Sequence, residues 1–161
     1  MATIRQKPET YAITILTHQR QRLFQRPANA ELMIETLFRY RDQGFFALHG
    51  FVVVPDHIHA LITPAIDQST SRCVQRIKGG YSFAVRNQFP GEVWHSGCHE
   101  HRIRDIEDFA AQKLYLANNP NRKSHTDYAF VHDKYAERIN AIPSHLMRAT
   151  VHTPGAEARL S

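Results

Sequence analysis

The stretch of residues 52–62, VVVPDHIHALI, contains two apolar runs separated by a Pro-Asp pair. Apolar β-branched residues favour strands, and a Pro-Asp pair between two such runs favours a turn, so we expect a β-hairpin here. Side chains alternate between the two faces of a strand, and His57 and His59 therefore share one face. The opposite face, which we expect to point into the core, carries the apolar residues Ile58, Ala60 and Ile62.

Two imidazoles on one face of a strand can offer two nitrogen ligands to a divalent metal ion from a rigid support. The His57–His59 spacing does not establish such a site, because the chain contains 11 His residues and the pattern can arise by chance. Two half-buried histidines with satisfied hydrogen bonds explain the motif equally well. Both interpretations stay open on this motif alone.

Residues 105–120, DIEDFAAQKLYLANNP, have the pattern of a helix. Asp105 is a suitable N-cap, acidic residues occupy the first turn, and Pro120 is expected to end the helix. Tyr115 lies roughly opposite the predicted apolar stripe, and Asn119 projects from the same side one turn later. A core tyrosine would lie on the stripe, so Tyr115 is a candidate functional residue, the alternative being a surface tyrosine. The stripe itself comprises Ile106, Phe109, Ala110, Leu114 and Ala117.

The histidine pair and the helical tyrosine have a joint chemical meaning. A bound metal ion would draw charge from a phosphodiester, and the hydroxyl of Tyr115 would attack phosphorus to form a covalent phosphotyrosine bond. A phenol ionises only near pH 10, so a nearby cation must assist its deprotonation. Asn119 would supply an oxygen ligand beside His57 and His59. Mixed imidazole and amide ligation favours Mg²⁺ or Mn²⁺.

The periodicities along the chain predict the element order β-α-β-β-α-β, followed by the tyrosine helix. The expected strands are residues 11–17, 45–54, 57–63 and 99–104, and the expected helices are residues 27–43 and 69–88. We expect the second helix to be interrupted or loosened at Gly79-Gly80. This order is that of an α+β, ferredoxin-like (RRM-like) antiparallel sheet, here with an additional C-terminal helix carrying Tyr115. One domain is expected over residues 1–142, with a flexible tail at residues 143–161.

The charge balance points to a polyanionic partner. The formal net charge is +5 and the isoelectric point is about 9.5, which favours nucleic acid although a modest basic excess is common. Lys78 is the leading candidate, because the two glycines beside it would let the backbone approach DNA. The candidate phosphate contacts are Arg72, Arg76, Lys78, Arg86, Arg102 and Arg104; each is equally explained as a solvated charge. Tyr81, Phe83 and Trp94 are candidates for stacking on bases, core packing being the commoner role.

Other classes of site and location are disfavoured. The cluster His95, Cys98, His99 and His101 suggests zinc, but alternation along a strand places Cys98 and His99 on opposite faces, so one ion cannot easily collect all four. The two cysteines give no disulfide framework. The chain contains no apolar stretch near 18 residues and no apolar signal core at its start, so we expect a soluble cytoplasmic protein without a membrane partner.

Four blocks taken together resemble the HUH family of single-strand DNA endonucleases, named after its His-hydrophobe-His motif. The blocks are residues 54–59 (VPDHIH), 75–82 (QRIKGGYS), 94–108 (WHSGCHEHRIRDIED) and 115–120 (YLANNP). They are most similar to the single-tyrosine, IS200-like transposases, and among these to the REP-associated tyrosine transposases, which process short palindromic repeats in bacterial chromosomes. The resemblance extends over about residues 8–122.

The resemblance implies that His57, His59 and Asn119 hold Mg²⁺ or Mn²⁺ and that Tyr115 is the nucleophile. It also implies a 5′-phosphotyrosine adduct with a free 3′-hydroxyl; a second 3′-hydroxyl can reseal that adduct without ATP. The implied substrate is single-stranded or hairpin DNA carrying REP-type palindromes, in a nucleoid-associated setting. Cys98 and Asn121 depart from the usual pattern, which leaves the recognised repeat open.

Two other functions compete with this interpretation. A module that binds structured DNA or RNA without efficient cleavage would also be basic, but it would not need His57, His59, Tyr115 and Asn119 together. A metal-dependent hydrolase of a small phosphoester would use the histidine pair and leave Tyr115 unexplained. We expect a monomer, the alternative being a homodimer in which the tyrosine helix is exchanged.

Overall fold

The strands β1 (Tyr11–Leu16), β2 (Phe46–Val54), β3 (His57–Pro64) and β4 (His99–Arg102) form one antiparallel sheet in the order β2-β3-β1-β4. The helices are α1 (Pro27–Asp42), α2 (Thr70–Val85), α3 (Ile106–Arg122) and α4 (Ser144–Val151). Short 3-10 helices occupy His18–Arg20, Leu23–Gln25 and His132–Arg138. This computed structural model describes residues 7–122 and 130–151. Within those ranges no helix is long and apolar enough to span a membrane.

The predicted ferredoxin-like order is confirmed, and the hairpin at its centre forms as expected. Val54 pairs with His57 across the Pro-Asp turn, and β3 then lies between β2 and β1. Thr14 of β1 is the direct neighbour of His59. Both faces of the sheet are covered, which explains why β3, in the interior of the sheet, and β2, at its edge, consist mostly of apolar residues.

The two faces of the sheet carry different layers. Ile58, Ala60 and Ile62 are buried with the inner residues of α1 and α2 in the larger core. The other face packs against α3 and α4 through a smaller cluster that includes Val52, Val54, Leu61, Phe109, Leu116 and Leu146. His57 and His59 alternate with Ile58 and therefore lie on the α3 side of the sheet.

Several predicted boundaries and one predicted stripe are wrong in detail. β4 ends at Arg102 rather than at residue 104, and α3 continues two residues past Pro120. Asp105 does cap α3, because its Oδ1 accepts from the Asp108 amide at 2.8 Å. Among the α3 residues whose side chains are described, 106–118, Phe109 and Leu116 are buried, whereas Leu114 of the predicted stripe is 63% exposed. Packing against β2 and β3 selects the side with these two residues, so the stripe expected from periodicity is rotated from the one that is buried.

The helix α2 is continuous, contrary to the predicted interruption at Gly79-Gly80. Gly80 instead allows α1 to approach, since a β-carbon there would lie 2.6 Å from Tyr40 Cε2. A β-carbon at Gly79 would meet nothing within 4 Å. The pair therefore contains one glycine required by helix packing and one that packing does not require.

Part of the predicted tail is folded. Residues 144–151 form α4, and Leu146 is buried in the smaller core, so the packed region continues past the predicted boundary at residue 142. Residues 152–161 of the predicted tail lie outside the described residues.

A buried polar network connects the sheet to the segment that precedes α4. His49 Nδ1 donates to the Ala141 carbonyl at 2.7 Å, and His49 Nε2 accepts from the Thr63 hydroxyl at 2.8 Å. The Thr63 hydroxyl also contacts Thr10 Oγ1 at 2.7 Å. Burial, with smaller effects of Lys113 and His145, lowers the pKa of His49 from 6.5 to about 4. The neutral ring therefore satisfies both of its nitrogens in the folded protein.

The Gly79 and Gly80 positions form a matched pair for a stability measurement. Gly80→Ala should lower the free energy of unfolding by about 1–3 kcal/mol, because the added methyl group displaces Tyr40. Gly79→Ala should raise it by roughly 0.5–1 kcal/mol, because alanine is the better helix former where space is open. Urea unfolding of both variants tests this; equal effects of the two substitutions would contradict the packing role of Gly80.

The buried His49 predicts an acid-sensitive fold. Its folded-state pKa lies below the unfolded value, so its contribution is full above pH 6.5 and is lost as the pH falls from 6.5 towards 4. This residue alone should lower the free energy of unfolding by about 2 kcal/mol between pH 7 and pH 5. Urea titrations at both pH values should show a shallower dependence in His49→Gln, and an unchanged dependence would argue against this assignment.

Candidate active site

His57 and His59 project from β3 towards the same point. Their Nε2 atoms lie 3.0 Å apart, and the ring planes are nearly perpendicular at 83°. His57 is 3% exposed, and His59 is half-buried. Because side chains alternate along β3, the two-residue spacing places the Nε2 atoms of His57 and His59 close together on one face.

Each histidine is oriented through its other nitrogen. The Nδ1–H of His57 donates to Asp56 Oδ1 at 2.7 Å, and Asp56 Oδ2 accepts from Arg20 Nε at 3.0 Å. His59 Nδ1 lies 2.7 Å from Thr14 Oγ1 on the neighbouring strand. Burial alone would raise the pKa of Asp56, but the hydrogen bonds from His57 and Arg20 outweigh that effect and hold the pKa below its ordinary value. The carboxylate that fixes the His57 tautomer is therefore ionised at neutral pH.

The histidine pair fits a divalent cation by its geometry. Two Nε2 atoms at 3.0 Å need either a shared proton or a cation between them, because two lone pairs would otherwise face each other. Adjacent ligands of an octahedral ion with bonds of about 2.1 Å lie about 3.0 Å apart. A carboxylate behind the ring, as Asp56 provides for His57, is a usual support of a metal-binding histidine, and the Thr14 hydroxyl offers His59 an oxygen acceptor in the same position. Among the described residues no group of three His, Cys, Asp or Glu side chains converges, so further protein ligands would have to be of another type.

Tyr115 of α3 lies beside this pair. Its ring packs edge-to-face on His59, with centroids 5.6 Å apart, and it is 37% exposed. A cleft of about 210 Å³ between the sheet and α3 is lined by residues that include Thr14, His59, His99, His101, Gln112 and Tyr115. The structure therefore brings together three of the four predicted site residues. The fourth, Asn119, lies in α3, and its side chain falls outside the described residues.

The predicted DNA-binding residues do not gather around the histidine pair. Arg72 and Arg76 are exposed on α2, which covers the opposite face of the sheet, and Arg76 stacks on Phe45 at 4.9 Å. Lys78 Nζ donates to the carbonyls of His95 and Gly97 at 2.9 and 2.8 Å. Arg102 is exposed near Glu9, at 3.6 Å. Arg104, also exposed, lies 3.9 Å from Asp108. The contacts of these five residues with DNA stay predictions.

The aromatic candidates for base stacking and the candidate zinc ligands differ in burial and position. Tyr81 is fully buried and Trp94 is 9% exposed, with its Nε1 donating to the Lys78 carbonyl at 3.0 Å. Phe83 is 64% exposed. His99 and His101 line the cleft next to His59, and His101 Nε2 bonds Asp108 at 2.9 Å rather than joining Cys98.

Sequence reasoning missed the supporting residues of the site. The carboxylate of Asp56, directly before the first histidine, is a recognisable signal, because metal-binding histidines usually donate their second N–H to such a group. Thr14 is 45 residues from His59 in the chain, and only the pairing of β1 with β3 brings them into contact.

The Thr14–His59 hydrogen bond predicts a change in metal affinity. Thr14→Val keeps the shape of the side chain but removes the acceptor for His59 Nδ1, so Mn²⁺ binding should weaken about tenfold. Thr14→Ser keeps the hydroxyl and should bind as the unchanged protein does. Calorimetric titration with MnCl₂ measures both; equal affinities for the valine and serine variants would contradict an orienting role.

Comparisons with known proteins identify structures that share this fold and a family to which the sequence belongs. The chain is similar in structure to a REP-associated tyrosine transposase solved with a REP hairpin, with a TM-score of 0.66, 21% identity and 82% of each chain covered. It is also similar to a candidate transposase from Deinococcus radiodurans R1, with a TM-score of 0.54, 17% identity, and 73% of this chain and 95% of that chain covered. No curated protein matches the sequence.

At these identities the structural matches show the fold, which both proteins share with this chain. A family model described as "Transposase IS200 like" matches residues 7–103. That range includes β1 to β4 and both histidines, and it ends before α3 and Tyr115. Since the match covers more than half of the 161 residues, the chain belongs to the IS200-like transposase family.

Proposed function

We propose that this protein is a metal-dependent single-strand DNA endonuclease and strand transferase that uses Tyr115 as its nucleophile and acts on REP-type palindromic hairpins. The observation that carries the proposal is the convergence of His57 and His59 at 3.0 Å with the Tyr115 ring 5.6 Å from His59. A nucleophile beside a cation site is the arrangement that phosphodiester transfer needs.

In this proposal His57 and His59 bind Mg²⁺ or Mn²⁺, and Asn119 supplies an oxygen ligand from the end of α3. An ion held there would supply Lewis-acid chemistry, since it would withdraw charge from the scissile phosphate. Asp56 and Thr14 hold the two imidazoles in the orientation that presents both Nε2 atoms. Arg20 in turn holds Asp56, so the support of the site extends to the loop after β1.

The chemical step exchanges one phosphoester bond for another, so the energy of the phosphodiester is conserved. The Tyr115 oxygen loses its proton and forms a bond to phosphorus, while the bond from phosphorus to the 3′ oxygen breaks and that oxygen takes up a proton. The 5′ end stays joined to the protein as a phosphotyrosine, and a second 3′-hydroxyl can reverse the step on another strand. The partial exposure of Tyr115 leaves its ring open to a strand of DNA.

Hairpin DNA is the substrate that the charge of the protein, the size of the cleft and the similar structures together favour. A net charge of +5 favours a polyanion, and a cleft of about 210 Å³ under α3 suits an unpaired strand better than a duplex. The similar REP-associated protein was solved with a REP hairpin. Arg72, Arg76, Lys78, Arg102 and Arg104 are proposed to contact phosphates away from the cleft. We propose that the protein acts in the cytoplasm in association with the nucleoid. We also propose that it acts as a monomer.

The decisive experiment incubates the protein with labelled stem-loop DNA and Mn²⁺ and looks for a denaturant-resistant protein–DNA adduct. The unchanged protein should form the adduct, and Tyr115→Phe should reduce it to below about 1% because the nucleophile is lost. Tyr135→Phe is the matched control, since Tyr135 packs on Phe38 and Phe51 in the larger core. EDTA should abolish the adduct as well.

Each outcome has a distinct meaning. An adduct that survives in Tyr115→Phe would show that Tyr115 is not the nucleophile. Tight binding of the stem-loop without any adduct would favour a module that binds structured nucleic acid without efficient cleavage. Hydrolysis of a small phosphoester without an adduct would favour the small-phosphoester hydrolase.

A further inference from the structure

A second cavity, of about 540 Å³, lies between the segment of residues 21–26, the start of α1 and the C-terminal end of α2. We propose that this cavity, here named the Gln88 pocket, binds one unpaired nucleobase of the DNA flank beside the hairpin. The inference rests on the proposed function, which it deepens by assigning where bases are recognised. The residues that carry the argument are Arg22, Leu23, Arg26, Val85, Gln88 and Phe89.

The walls of the pocket are held by hydrogen bonds within the protein. Gln21 Nε2 donates to the Glu92 carbonyl at 2.9 Å, and Asn29 Nδ2 donates to the Leu23 carbonyl at 2.9 Å. Arg22 Nε donates to Gln25 Oε1 at 3.1 Å. The first two bonds join the 21–26 segment to the loop after α2 and to α1, and the third lies within the segment. The pocket is therefore formed before any ligand enters.

Two polar side chains remain for a ligand. Within the described part of the chain, the Gln88 amide and the Arg26 guanidinium are exposed and make no side-chain hydrogen bond or ion pair with the protein. A primary amide both donates and accepts, as the edge of a nucleobase does, and a guanidinium pairs with a phosphate or a base edge. The half-buried Leu23 and Phe89 supply an apolar surface for the face of the base.

The position of the pocket connects it to the proposed active site. Thr17 N donates to the Asp56 carbonyl at 3.0 Å, and Phe24 N donates to the Pro55 carbonyl at 3.0 Å. The segment that lines the pocket is thus attached to the turn directly before His57. Between these attachments Gln19 and Arg20 have φ values of 52° and 54°. This is the left-handed backbone conformation, which residues other than glycine rarely adopt.

The surroundings of the pocket favour a nucleic acid strand over a neutral ligand. Arg22 and Arg26 line the pocket and are exposed, the exposed Arg86 directly follows α2, and Asp56 is already paired with Arg20 at 3.0 Å. The exposed Phe83 ring carries the Arg86 guanidinium at 3.7 Å on the adjoining turn of α2. An arginine stacked on an exposed aromatic ring is a surface on which a further base can stack.

The test uses Tyr115→Phe protein, which binds without cutting, and stem-loop DNA with randomised single-stranded flanks. Sequencing of the bound fraction gives the base preference at each flank position. Gln88→Leu should lower the preference at one flank position about tenfold. Arg26→Gln should lower the affinity for the whole pool about tenfold. The matched controls Gln43→Leu and Arg39→Gln, at exposed positions on and after α1, should behave as the unchanged background does.

The outcomes separate this inference from the proposed function. Unchanged base preferences in Gln88→Leu, or a loss spread evenly over all positions, would overturn the pocket assignment while leaving the adduct chemistry intact. Selection of one base by the Gln88 pocket without adduct formation in the unchanged protein would contradict the nuclease and support the pocket. Failure of the protein to bind any stem-loop would overturn both.

Discussion

The register of β3 is the constraint on which the rest of the molecule depends. Ile58, Ala60 and Ile62 are at most 1% exposed, and their packing against α1 and α2 holds the strand on one side. A shift of one residue would move His57 and His59 into that core and would expose the apolar residues. Burial of each large aliphatic side chain contributes about 1.5–3 kcal/mol, so the hydrophobic core itself enforces the convergence of the two imidazoles.

The helix α3 combines packing with presentation of the tyrosine. Phe109 and Leu116 are two turns apart on the helix and anchor it to the sheet. Tyr115 precedes Leu116 and is rotated by about 100° from it, which places the ring at the border between the packed side and solvent. From that border it contacts His59 while remaining 37% exposed. A more buried tyrosine would be inaccessible to the proposed DNA substrate, and a fully exposed one would not contact the histidine.

Hydrogen bonds connect the site to parts of the chain that carry no reacting group. Asp56 lies in the turn before β3, and its two oxygens bond His57 on one side and Arg20 on the other. The Arg20 loop continues into the wall of the Gln88 pocket. The orientation of His57 and the proposed recognition of a flanking base therefore share one structural support, which offers a physical route for coupling that recognition to the proposed cleavage.

The sequence by itself determined the elements and the faces of the strands, because both follow from local periodicity. It predicted the ferredoxin-like order, the common face of His57 and His59, and the capped helix that carries Tyr115. Only the tertiary structure decided which elements meet. It rotated the buried side of α3, placed Gly80 against Tyr40 within a continuous helix, and folded residues 144–151 as α4. It also brought Thr14 to His59 across 45 residues of chain. Such contacts depend on how distant segments pack, and no short window of sequence contains both partners.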